Sequence, residues 1–460
     1  MAERVDAIVL GMGVGGEEVA GALAESGLRV VGIESHLVGG ECPYYGCIPT
    51  KMMIRADDML AEGRRIPGFA GNATVAPDWT PVAERIRKVA TDNWDDRVAV
   101  ERFEKKGGTF VRGVGRLAGA GRVTVNGAAY EATRAIVVAT GTAPAVPPLP
   151  GLNNVKYWTN RDAVKVEHLP ETLVIVGGGA IGIELSQAFA RFGVKVKVIE
   201  GMGRVLAMEE PEASAVLGEV LQREGVELCL NARAKSVEQR GSTVGVRLED
   251  GREVIGDQLL VATGRRANLA DIGLETVGLD PAARLLTPDE QLRVGERLWA
   301  VGDVTANGGF THIAIYQAGI AIDDILGKPG PGADYRAKPR VTFTDPEVGA
   351  AGLTEEQARK NGINVRTGLQ KASVTSRGWI HGPGNDGFIK VVEDVDRGVL
   401  VGATTMGPRG GDLLGIFELA IKMQIPSDEL RHLIYAYPTF YRGAGEAVRK
   451  LGPDHHLPMR

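Results

Sequence analysis

Two glycine-rich turns, each set between a strand and a helix, constrain this 460-residue chain more than any other feature. The first is a G-x-G-x-x-G fingerprint formed by Gly11, Gly13 and Gly16. In this pattern the first glycine makes the tight turn, the second admits a pyrophosphate, and the third lets helix and strand pack closely. The predicted elements around it are a strand, a helix and a second strand, at residues 5–10, 17–25 and 28–34. The second strand ends in Glu34, whose carboxylate suits ribose hydroxyls.

The same arrangement returns in the middle of the chain. Gly177, Gly179 and Gly182 form a second fingerprint, and the strand after it ends in Glu200. The predicted strand, helix and strand lie at residues 173–176, 183–192 and 194–200. One such turn is weak evidence because glycine turns are common, but two in full context predict two bound dinucleotides. Two dinucleotides in one chain indicate electron transfer between them.

The residue at the end of the second strand bears on the coenzyme. Glu200 favours NADH, because a carboxylate repels the 2′-phosphate of NADPH. Arg204 lies four residues further on and could pair with that phosphate, so NADPH stays open as the alternative.

The stretch "GGECPYYGCI" (39–48) holds two of the three cysteines, Cys42 and Cys47. A structural zinc site needs about four ligands and no histidine lies at ligand spacing, so no metal is expected. A structural disulfide and a working redox pair are the other interpretations, and the redox pair is favoured. A helix is predicted to carry both cysteines about one turn apart, and a helix N-terminus lowers the pKa of a thiol. The third, Cys229, is predicted to be a small buried hydrophobe in a strand.

Composition limits the remaining classes of protein. A formal charge of −5 and a pI near 5.9 argue against nucleic acid as a partner. The sequence has no run of about 18 apolar residues, so no membrane span is predicted. The N-terminus lacks the features of a signal peptide. With 44% hydrophobic residues and only three cysteines, we expect a cytoplasmic protein of about three domains in a reducing compartment.

Together these motifs resemble those of the class I pyridine nucleotide-disulfide oxidoreductases, the family of dihydrolipoamide dehydrogenase, glutathione reductase and mercuric reductase. The resemblance covers nearly the whole chain. Besides the first fingerprint, it rests on "GGECPYYGCIPTK", "VVATGTAP", "VIVGGGAIGIE", "VATGRRAN", "LWAVGDV" and "VTFTDPEVGAAGLTEEQA".

The resemblance implies an α/β fold with two doubly wound Rossmann-like dinucleotide-binding domains and an α+β C-terminal dimerisation domain. The strand–helix alternation around the two fingerprints predicts the same two sheets. An FAD domain would be split in sequence, with an NAD(P) domain inserted and an interface domain at the end. These segments are expected at 1–148 and 265–336 for FAD, 149–264 for NAD(P), and 337–460 for the interface.

The family also implies where the cofactors bind. Thr140 and Gly141, in the first "ATG" turn, and Gly302 would contact FAD, and Asp303 would hydrogen-bond its ribityl chain. Gly264, in the second "ATG" turn, is expected at the NAD(P) site.

By the same resemblance, Cys47 is the cysteine beside the flavin, where its thiolate makes the charge-transfer contact. Cys42 would be the outer, interchange cysteine that meets the substrate. Lys51 and Glu184 match the family's ion pair at the reactive edge of the flavin, where the positive Lys51 would stabilise the reduced, anionic flavin.

The C-terminal motif departs from the family pattern. Disulfide reductases carry a His-Pro pair and, a few residues later, a Glu; the histidine is the acid–base catalyst and comes from the partner subunit. Here "LIYAYPTFYRGAGE" places Tyr437 at the histidine position and Arg442 at the glutamate position. Tyrosine titrates near pKa 10 and is a poor base at neutral pH. His432 lies five residues upstream, at a spacing that does not indicate a replacement.

Mercuric reductases also carry tyrosine at this position. Two of their features are expected to be absent, namely a C-terminal cysteine pair and an N-terminal metal-binding domain. His455 and His456 could act as replacement metal ligands, although a solvated tail is the favoured interpretation.

We therefore predict a homodimeric FAD enzyme whose active site is shared between subunits. NAD(P)H would reduce the flavin, and the Cys42–Cys47 pair would pass electrons to an acceptor that needs no histidine base. A mercuric-reductase-like metal ion or a quinone is favoured, and dihydrolipoamide-dehydrogenase-like or other disulfide reduction is the alternative. A catalytically impaired, NAD(P)H-responsive regulatory flavoprotein is the alternative from another class.

Overall fold

The computed structural model describes residues 2–328 and 330–452, which divide into two compact units. The described residues of the first unit fall within Met1–Thr50, Ala83–Ala145 and Gly264–Asp334. Those of the second unit fall within Lys51–Val82, Val146–Thr263 and Tyr335–Arg460. Each unit is therefore assembled from segments that are distant in the sequence.

The helices of the described residues are, in chain order, α1 (Val14–Glu25), α2 (Glu41–Tyr44), α3 (Cys47–Arg65), α4 (Thr80–Arg85), α5 (Arg97–Lys105), α6 (Asn160–Ala163), α7 (Ala180–Arg191), α8 (Pro211–Arg223), α9 (Thr311–Ile325), α10 (Glu355–Lys360), α11 (Ser376–His381), α12 (Gly410–Leu413), α13 (Gly415–Met423), α14 (Ser427–His432) and α15 (Phe440–Arg449). Shorter helical turns lie at Ile86–Ala90 (π) and at Asp92–Trp94, Leu152–Asn154, Leu274–Val277 and Gly302–Val304 (3-10).

The strands are β1 (Glu3–Leu10), β2 (Val30–Glu34), β3 (Thr109–Arg112), β4 (Arg116–Leu117), β5 (Arg122–Val125), β6 (Ala128–Val138), β7 (Thr142–Pro144), β8 (Tyr157–Trp158), β9 (Thr172–Val176), β10 (Lys195–Ile199), β11 (Glu227–Cys229) and β12 (Ala234–Arg240). They continue with β13 (Thr243–Leu248), β14 (Glu253–Gly256), β15 (Gln258–Val261), β16 (Arg265–Ala267), β17 (Arg293–Gly295), β18 (Leu298–Ala300), β19 (Pro339–Thr342), β20 (Glu347–Gly352), β21 (Val365–Lys371), β22 (Phe388–Asp394) and β23 (Val399–Gly407).

The first unit is built on an eight-stranded sheet whose central path runs β17-β18-β6-β1-β2-β3. The strands from β18 to β3 pair in parallel. Strand β1 is an apolar run because both of its faces are buried: Ala7 and Val9 belong to one core cluster, whereas Ile8 and Leu10 belong to another. Helices therefore cover a parallel sheet, as in a doubly wound fold.

The second unit contains a five-stranded parallel sheet, in the order β11-β10-β9-β15-β8, and a separate antiparallel sheet of β12, β13 and β14. Its C-terminal part is a five-stranded antiparallel sheet in the order β19-β20-β23-β22-β21. Phe417 of α13 and Val448 of α15 pack with Val391 and Leu400 of this sheet in one buried cluster.

The predicted fold class is confirmed, since two parallel, helix-flanked sheets and one α+β segment are present. The predicted segment boundaries stay predictions. Element ends differ from the predicted ones by up to three residues. Helix α1, for example, begins at Val14 instead of residue 17, because Gly13 of the fingerprint is its N-cap.

Candidate active site

The first fingerprint leaves no room for side chains where the chain turns. Gly11 has φ +92°, and a Cβ there would lie 2.4 Å from the carbonyl oxygen of Ala139. A Cβ on Gly16 would lie 2.0 Å from the carbonyl oxygen of Gly11. Gly13 faces open space instead, because the nearest atom to a Cβ placed there would be 4.0 Å away, so a phosphate can approach its backbone.

The second fingerprint repeats this geometry almost contact for contact. Gly177 has φ +115°, and its Cβ would lie 2.3 Å from the carbonyl oxygen of Ala262. A Cβ on Gly182 would lie 2.0 Å from the Gly177 oxygen, and a Cβ on Gly179 would meet no atom within 4 Å. Both turns therefore have the shape that dinucleotide binding requires.

The two strand-end glutamates are also held alike. The Oε2 atom of Glu34 accepts a hydrogen bond from the Met12 N–H at 2.8 Å, and Oε1 accepts from the His36 N–H at 2.8 Å. The corresponding backbone N–H groups donate to the two oxygens of Glu200 at 2.6 and 2.7 Å. Each carboxylate is thus fixed beside its glycine turn, with lone pairs left for ribose hydroxyls.

The residues of the first "ATG" turn fit a bound flavin dinucleotide. The Thr140 hydroxyl is buried and has no hydrogen-bond partner among the described residues, as expected where a cofactor atom belongs. Asn268 holds the turn, donating from its side chain to the Thr140 carbonyl at 2.9 Å and from its backbone to the Gly141 carbonyl at 2.9 Å. A Cβ placed on Gly141 or Gly264 would meet no atom within 4 Å, so both turns face open space, although their φ values of +65° and +115° favour glycine.

Asp303 is oriented by its neighbours. Its Oδ2 atom accepts from the Thr142 hydroxyl at 2.9 Å, and Oδ1 accepts from the Gly309 N–H at 3.1 Å. Gly302, at φ +81°, donates its N–H to the side chain of Gln317 at 2.7 Å. The Asp303 carboxylate is therefore fixed on the turn at Gly302–Val304.

Arg265 connects this carboxylate region to the cysteine motif, and sequence reasoning missed it. Its Nε donates to the Thr142 hydroxyl at 2.7 Å, and its Nη2 lies 3.2 Å from Oε2 of Glu41, the residue before Cys42. The signal was its place directly after the second "ATG" turn, where the chain pairs back onto β7.

The cysteines do not lie on one helix, so that prediction is wrong. Cys42 lies in α2 and Cys47 is the first residue of α3. Helix α2 ends between them, because the Gly46 N–H donates to the Glu41 carbonyl, five residues back, at 2.7 Å, in addition to the helical bond from the Tyr45 N–H at 2.8 Å. Cys47 thus lies at a helix start, where the dipole favours a thiolate.

Thr311 is a second residue that the sequence did not reveal. It is the first residue of α9, and its Oγ1 lies 3.3 Å from the Sγ of Cys47. Because a hydroxyl can donate to sulfur, Thr311 is suited to stabilise a Cys47 thiolate.

Lys51 and Glu184 form an ion pair, as the family resemblance implied. Lys51 Nζ lies 2.8 Å from Glu184 Oε2, and Glu184 is only 6% exposed. The other oxygen of Glu184 accepts from the Phe343 N–H at 2.8 Å, and the Phe343 ring lies 4.6 Å from the Lys51 ammonium. Phe343, in the "VTFTDP" motif, therefore orients both members of the pair.

Tyr437 lies on the surface of the C-terminal segment of this chain, 66% exposed, three residues before α15. The guanidinium of Arg442 lies 5.3 Å from its ring centroid, and Arg442 Nε lies 3.5 Å from a carboxylate oxygen of Glu446. His432 is occupied elsewhere, with its Nδ1 2.9 Å from the Asp428 carbonyl oxygen.

The remaining candidates are Cys229 and the two histidines near the C-terminus. Cys229 is buried at the end of β11, as predicted for a small buried hydrophobe in a strand, and burial raises the pKa of its thiol. His455 and His456 lie outside the described residues. Within the described part of the chain, no group of three or more His, Cys, Asp or Glu side chains has a metal-binding arrangement.

Two dinucleotide-shaped turns, a cysteine pair and a partly buried Lys–Glu ion pair define a class of protein, the two-dinucleotide flavoprotein reductases. Comparison with known families makes this specific. Residues 5–318 match the model described as "Pyridine nucleotide-disulphide oxidoreductase", and residues 338–448 match the dimerisation domain of the same family. The chain belongs to the pyridine nucleotide-disulphide oxidoreductase family.

Relatives of two activities are similarly close. The chain is 30% identical to a mercuric reductase of Staphylococcus aureus over 98% of its own length and 83% of the relative's. It is 32% identical to a dihydrolipoyl dehydrogenase of Geobacillus stearothermophilus, over 99% of its own length and 98% of the relative's. Among solved structures it resembles the Cu(II) complex of the HOCl-induced flavoprotein disulfide reductase RclA from Escherichia coli, with a TM-score of 0.84 and 25% identity. The match covers 96% of this chain and 99% of the solved one.

These matches confirm an FAD-dependent oxidoreductase that uses NAD(P)H, and the dimerisation domain supports a homodimer. Among the helices that the structure describes, none combines the length and hydrophobicity needed to span a bilayer.

Proposed function

We propose that this protein reduces a metal ion, or else a quinone, with electrons that pass from NADH through FAD and the Cys42–Cys47 pair. The observation that carries the proposal is the substitution of Tyr437 for the family's histidine in a chain that keeps the cysteines and the Lys51–Glu184 pair. Electrons can reach the cysteines, but the acid–base group for exchange with a small disulfide is replaced.

The reductive half of the cycle relies on Cys47 and Lys51 in the first turns of α3 and on the side chains that contact them. Bound FAD, held by the Gly11–Gly16 turn, Glu34 and Asp303, would supply the hydride and two-electron chemistry that links the nicotinamide to the disulfide. Lys51, held by Glu184 and Phe343, would supply positive charge where negative charge develops on reduction. The Thr311 hydroxyl would stabilise the Cys47 thiolate, and Cys42 would meet the acceptor.

The acceptor half differs from that of disulfide reductases. A small disulfide requires a proton for its leaving thiolate, and loss of the general acid–base typically lowers the rate by roughly 10²–10⁴-fold. A metal ion bound by two thiolates requires ligand exchange instead, which needs no general base at the Tyr437 position. The similarity to a mercuric reductase and to a reductase solved with Cu(II) supports this choice.

Dihydrolipoyl dehydrogenase-like activity is the second candidate, because a relative of that activity is 32% identical along nearly the whole chain. Tyr437 and Arg442 argue against it. An impaired, NAD(P)H-responsive regulatory protein is the third, and the intact cysteine motif argues against that.

NADH is the proposed coenzyme. Glu200 is fixed beside the second glycine turn, and the guanidinium of Arg204 is turned back, with its Nη2 donating to the Ala207 carbonyl at 2.8 Å. The cation is therefore engaged within its own loop, whereas the carboxylate is placed for ribose hydroxyls.

We also propose that the partner subunit of a cytoplasmic homodimer contributes the Tyr437 region to the active site. The large exposed side chains of the C-terminal segment, including Tyr437 and Ile434, which is 93% exposed, suit an interface.

Anaerobic titration with NADH, followed by a turnover screen, tests the proposal. Wild-type protein is expected to show a long-wavelength absorbance band after two electrons, which Cys47→Ser abolishes and the matched control Cys229→Ser retains. In the screen, Hg(II), Cu(II) or a quinone is expected to be reduced much faster than lipoamide or glutathione disulfide. No flavin reduction by NADH or NADPH would refute the enzyme function, and faster turnover of lipoamide would favour the second candidate.

A further inference from the structure

A strained turn adjoins the cysteine motif within the first unit. Asp92, Asn93 and Trp94 all have positive φ values, of 46°, 57° and 58°. They follow a π-helical turn at Ile86–Ala90. Asp and Asn tolerate this conformation, but it is rare for a bulky residue such as Trp94. Strained residues persist only where the surrounding contacts hold them, and they cluster at functional sites.

This turn is held by hydrogen bonds to Tyr44, which lies between the two cysteines. Trp94 Nε1 donates to the Tyr44 carbonyl at 3.0 Å, and the Tyr44 hydroxyl donates to the Asp95 carbonyl at 3.4 Å. Tyr44 is buried, and burial raises the pKa of its phenol to about 12, so the hydroxyl keeps its proton. Tyr44 is therefore held at both its backbone and its side chain.

Asp96, the residue after Asp95, fixes the chain at the start of the cysteine motif. Asp96 is buried, and its carboxylate accepts from the Val38 N–H at 2.7 Å and from the Arg112 guanidinium at 2.5 Å. Val38 immediately precedes the glycine pair of the cysteine motif. Residues 92–96 thus hydrogen-bond to the chain at Val38, before Cys42, and at Tyr44, after it. We name these five residues the clamp.

We propose that Trp94 is a positioning residue for the Cys42–Cys47 couple, and that the clamp sets how readily this disulfide is reduced. The inference rests on the proposed function, in which these cysteines carry electrons. A disulfide forms only over a narrow range of Cα separations, so the backbone between the cysteines controls its stability. Tyr44 lies in that backbone, and Trp94 fixes its carbonyl.

Loss of the indole hydrogen bond should favour the dithiol. Without it, the Tyr44 carbonyl loses the donor that fixes its orientation, and the two cysteines sample a wider range of separations. The oxidised form, which needs one particular separation, then loses more stability than the reduced form.

The experiment equilibrates the FAD-loaded protein in buffers of reduced and oxidised dithiothreitol and counts the labelled thiols. Trp94→Phe is expected to shift the disulfide equilibrium at least tenfold toward the dithiol, which corresponds to about 30 mV. The matched control is Trp79→Phe, which removes a comparable indole bond, 2.9 Å from Nε1 to the Val166 carbonyl. It should leave the equilibrium unchanged.

A second variant covers the case in which Trp94→Phe does not fold. Tyr44→Phe removes only the hydroxyl bond to Asp95 and should shift the equilibrium in the same direction by a smaller factor. If the folded variants titrate like the wild type, or if Trp79→Phe shifts the equilibrium equally, the positioning role is refuted. A wild type whose cysteines are not reduced by NADH would instead refute the proposed function.

Discussion

The ammonium of Lys51 lies 2.8 Å from the carboxylate of Glu184, although 133 positions separate the two residues in the chain. Glu184 is in turn fixed by the backbone N–H of Phe343, whose ring faces the ammonium. Three separate motifs of the sequence therefore converge on one positive charge. This charge is the group that we expect to govern reduction of the flavin.

Replacing that charge should slow the first half of the reaction. Lys51→Met is expected to lower the rate of flavin reduction by NADH by roughly 10²-fold, since loss of one preorganised electrostatic group typically has an effect of this size. Stopped-flow absorbance measures the rate. Lys360→Met is the matched control because it breaks an exposed ion pair with Glu356, 2.7 Å long, and should change nothing. Equal rates in wild type and Lys51→Met would remove Lys51 from the proposed mechanism.

The missing acid–base pair suggests a gain-of-function variant. Tyr437→His combined with Arg442→Glu should raise lipoamide or glutathione disulfide turnover at least tenfold, because it supplies a base near neutral pH and a carboxylate to orient it. The assay follows NADH consumption. Tyr437→Phe is the control, since it removes the hydroxyl without adding a base and should gain no disulfide activity. Brisk turnover by the wild type would show that another group already acts as the base.

Coenzyme choice should depend on Glu200. Glu200→Arg is expected to lower kcat/KM for NADH and raise it for NADPH, changing their ratio by roughly tenfold or more, because an ion pair with the 2′-phosphate replaces the bonds to ribose. Glu219→Arg makes the same charge change on the exposed side of α8 and serves as control. An unchanged ratio would mean that other residues select the coenzyme.

A buried charge cluster should make stability depend on pH. Arg191 lies within 3.3 Å of four carboxylates, those of Asp57, Asp58, Glu224 and Asp345. Burial raises the pKa of Asp57 from 3.8 to about 8 against the attraction of Arg191, and raises that of Asp58 to about 6.

The sign of the effect follows from these shifts. Between about pH 4 and 8, Asp57 and Asp58 bind more protons in the folded protein than in the unfolded chain, so their contribution to the free energy of unfolding falls as the pH rises. Thermal or urea unfolding at pH 5, 6.5 and 8 should show this decline, and Asp57→Asn should flatten it. Asp250→Asn, at an exposed pair with Arg252, is the control and should keep the slope. Stability that rises from pH 5 to 8 in the wild type would contradict the expected protonation of Asp57.

Local patterns in the sequence were sufficient for the cofactor turns. A glycine fingerprint between a strand and a helix has few backbone solutions, so Gly11, Gly16, Gly177 and Gly182 lie where the pattern predicts. The helix around the cysteines was predicted wrongly. Its local signals favour a helix, but the hydrogen bond from the Gly46 N–H to the Glu41 carbonyl, five residues back, interrupts it.

The sequence by itself determined the class of fold, the two dinucleotide turns, the cysteine pair and the loss of the histidine, because each depends on residues close together in the chain. Only the tertiary structure revealed Thr311 beside Cys47, Phe343 beside Lys51, and Trp94 bound to Tyr44. The members of these three pairs are separated in the chain by 264, 292 (343 − 51) and 50 positions, in that order. Contacts over such distances depend on how sheets and helices pack, which no local pattern records.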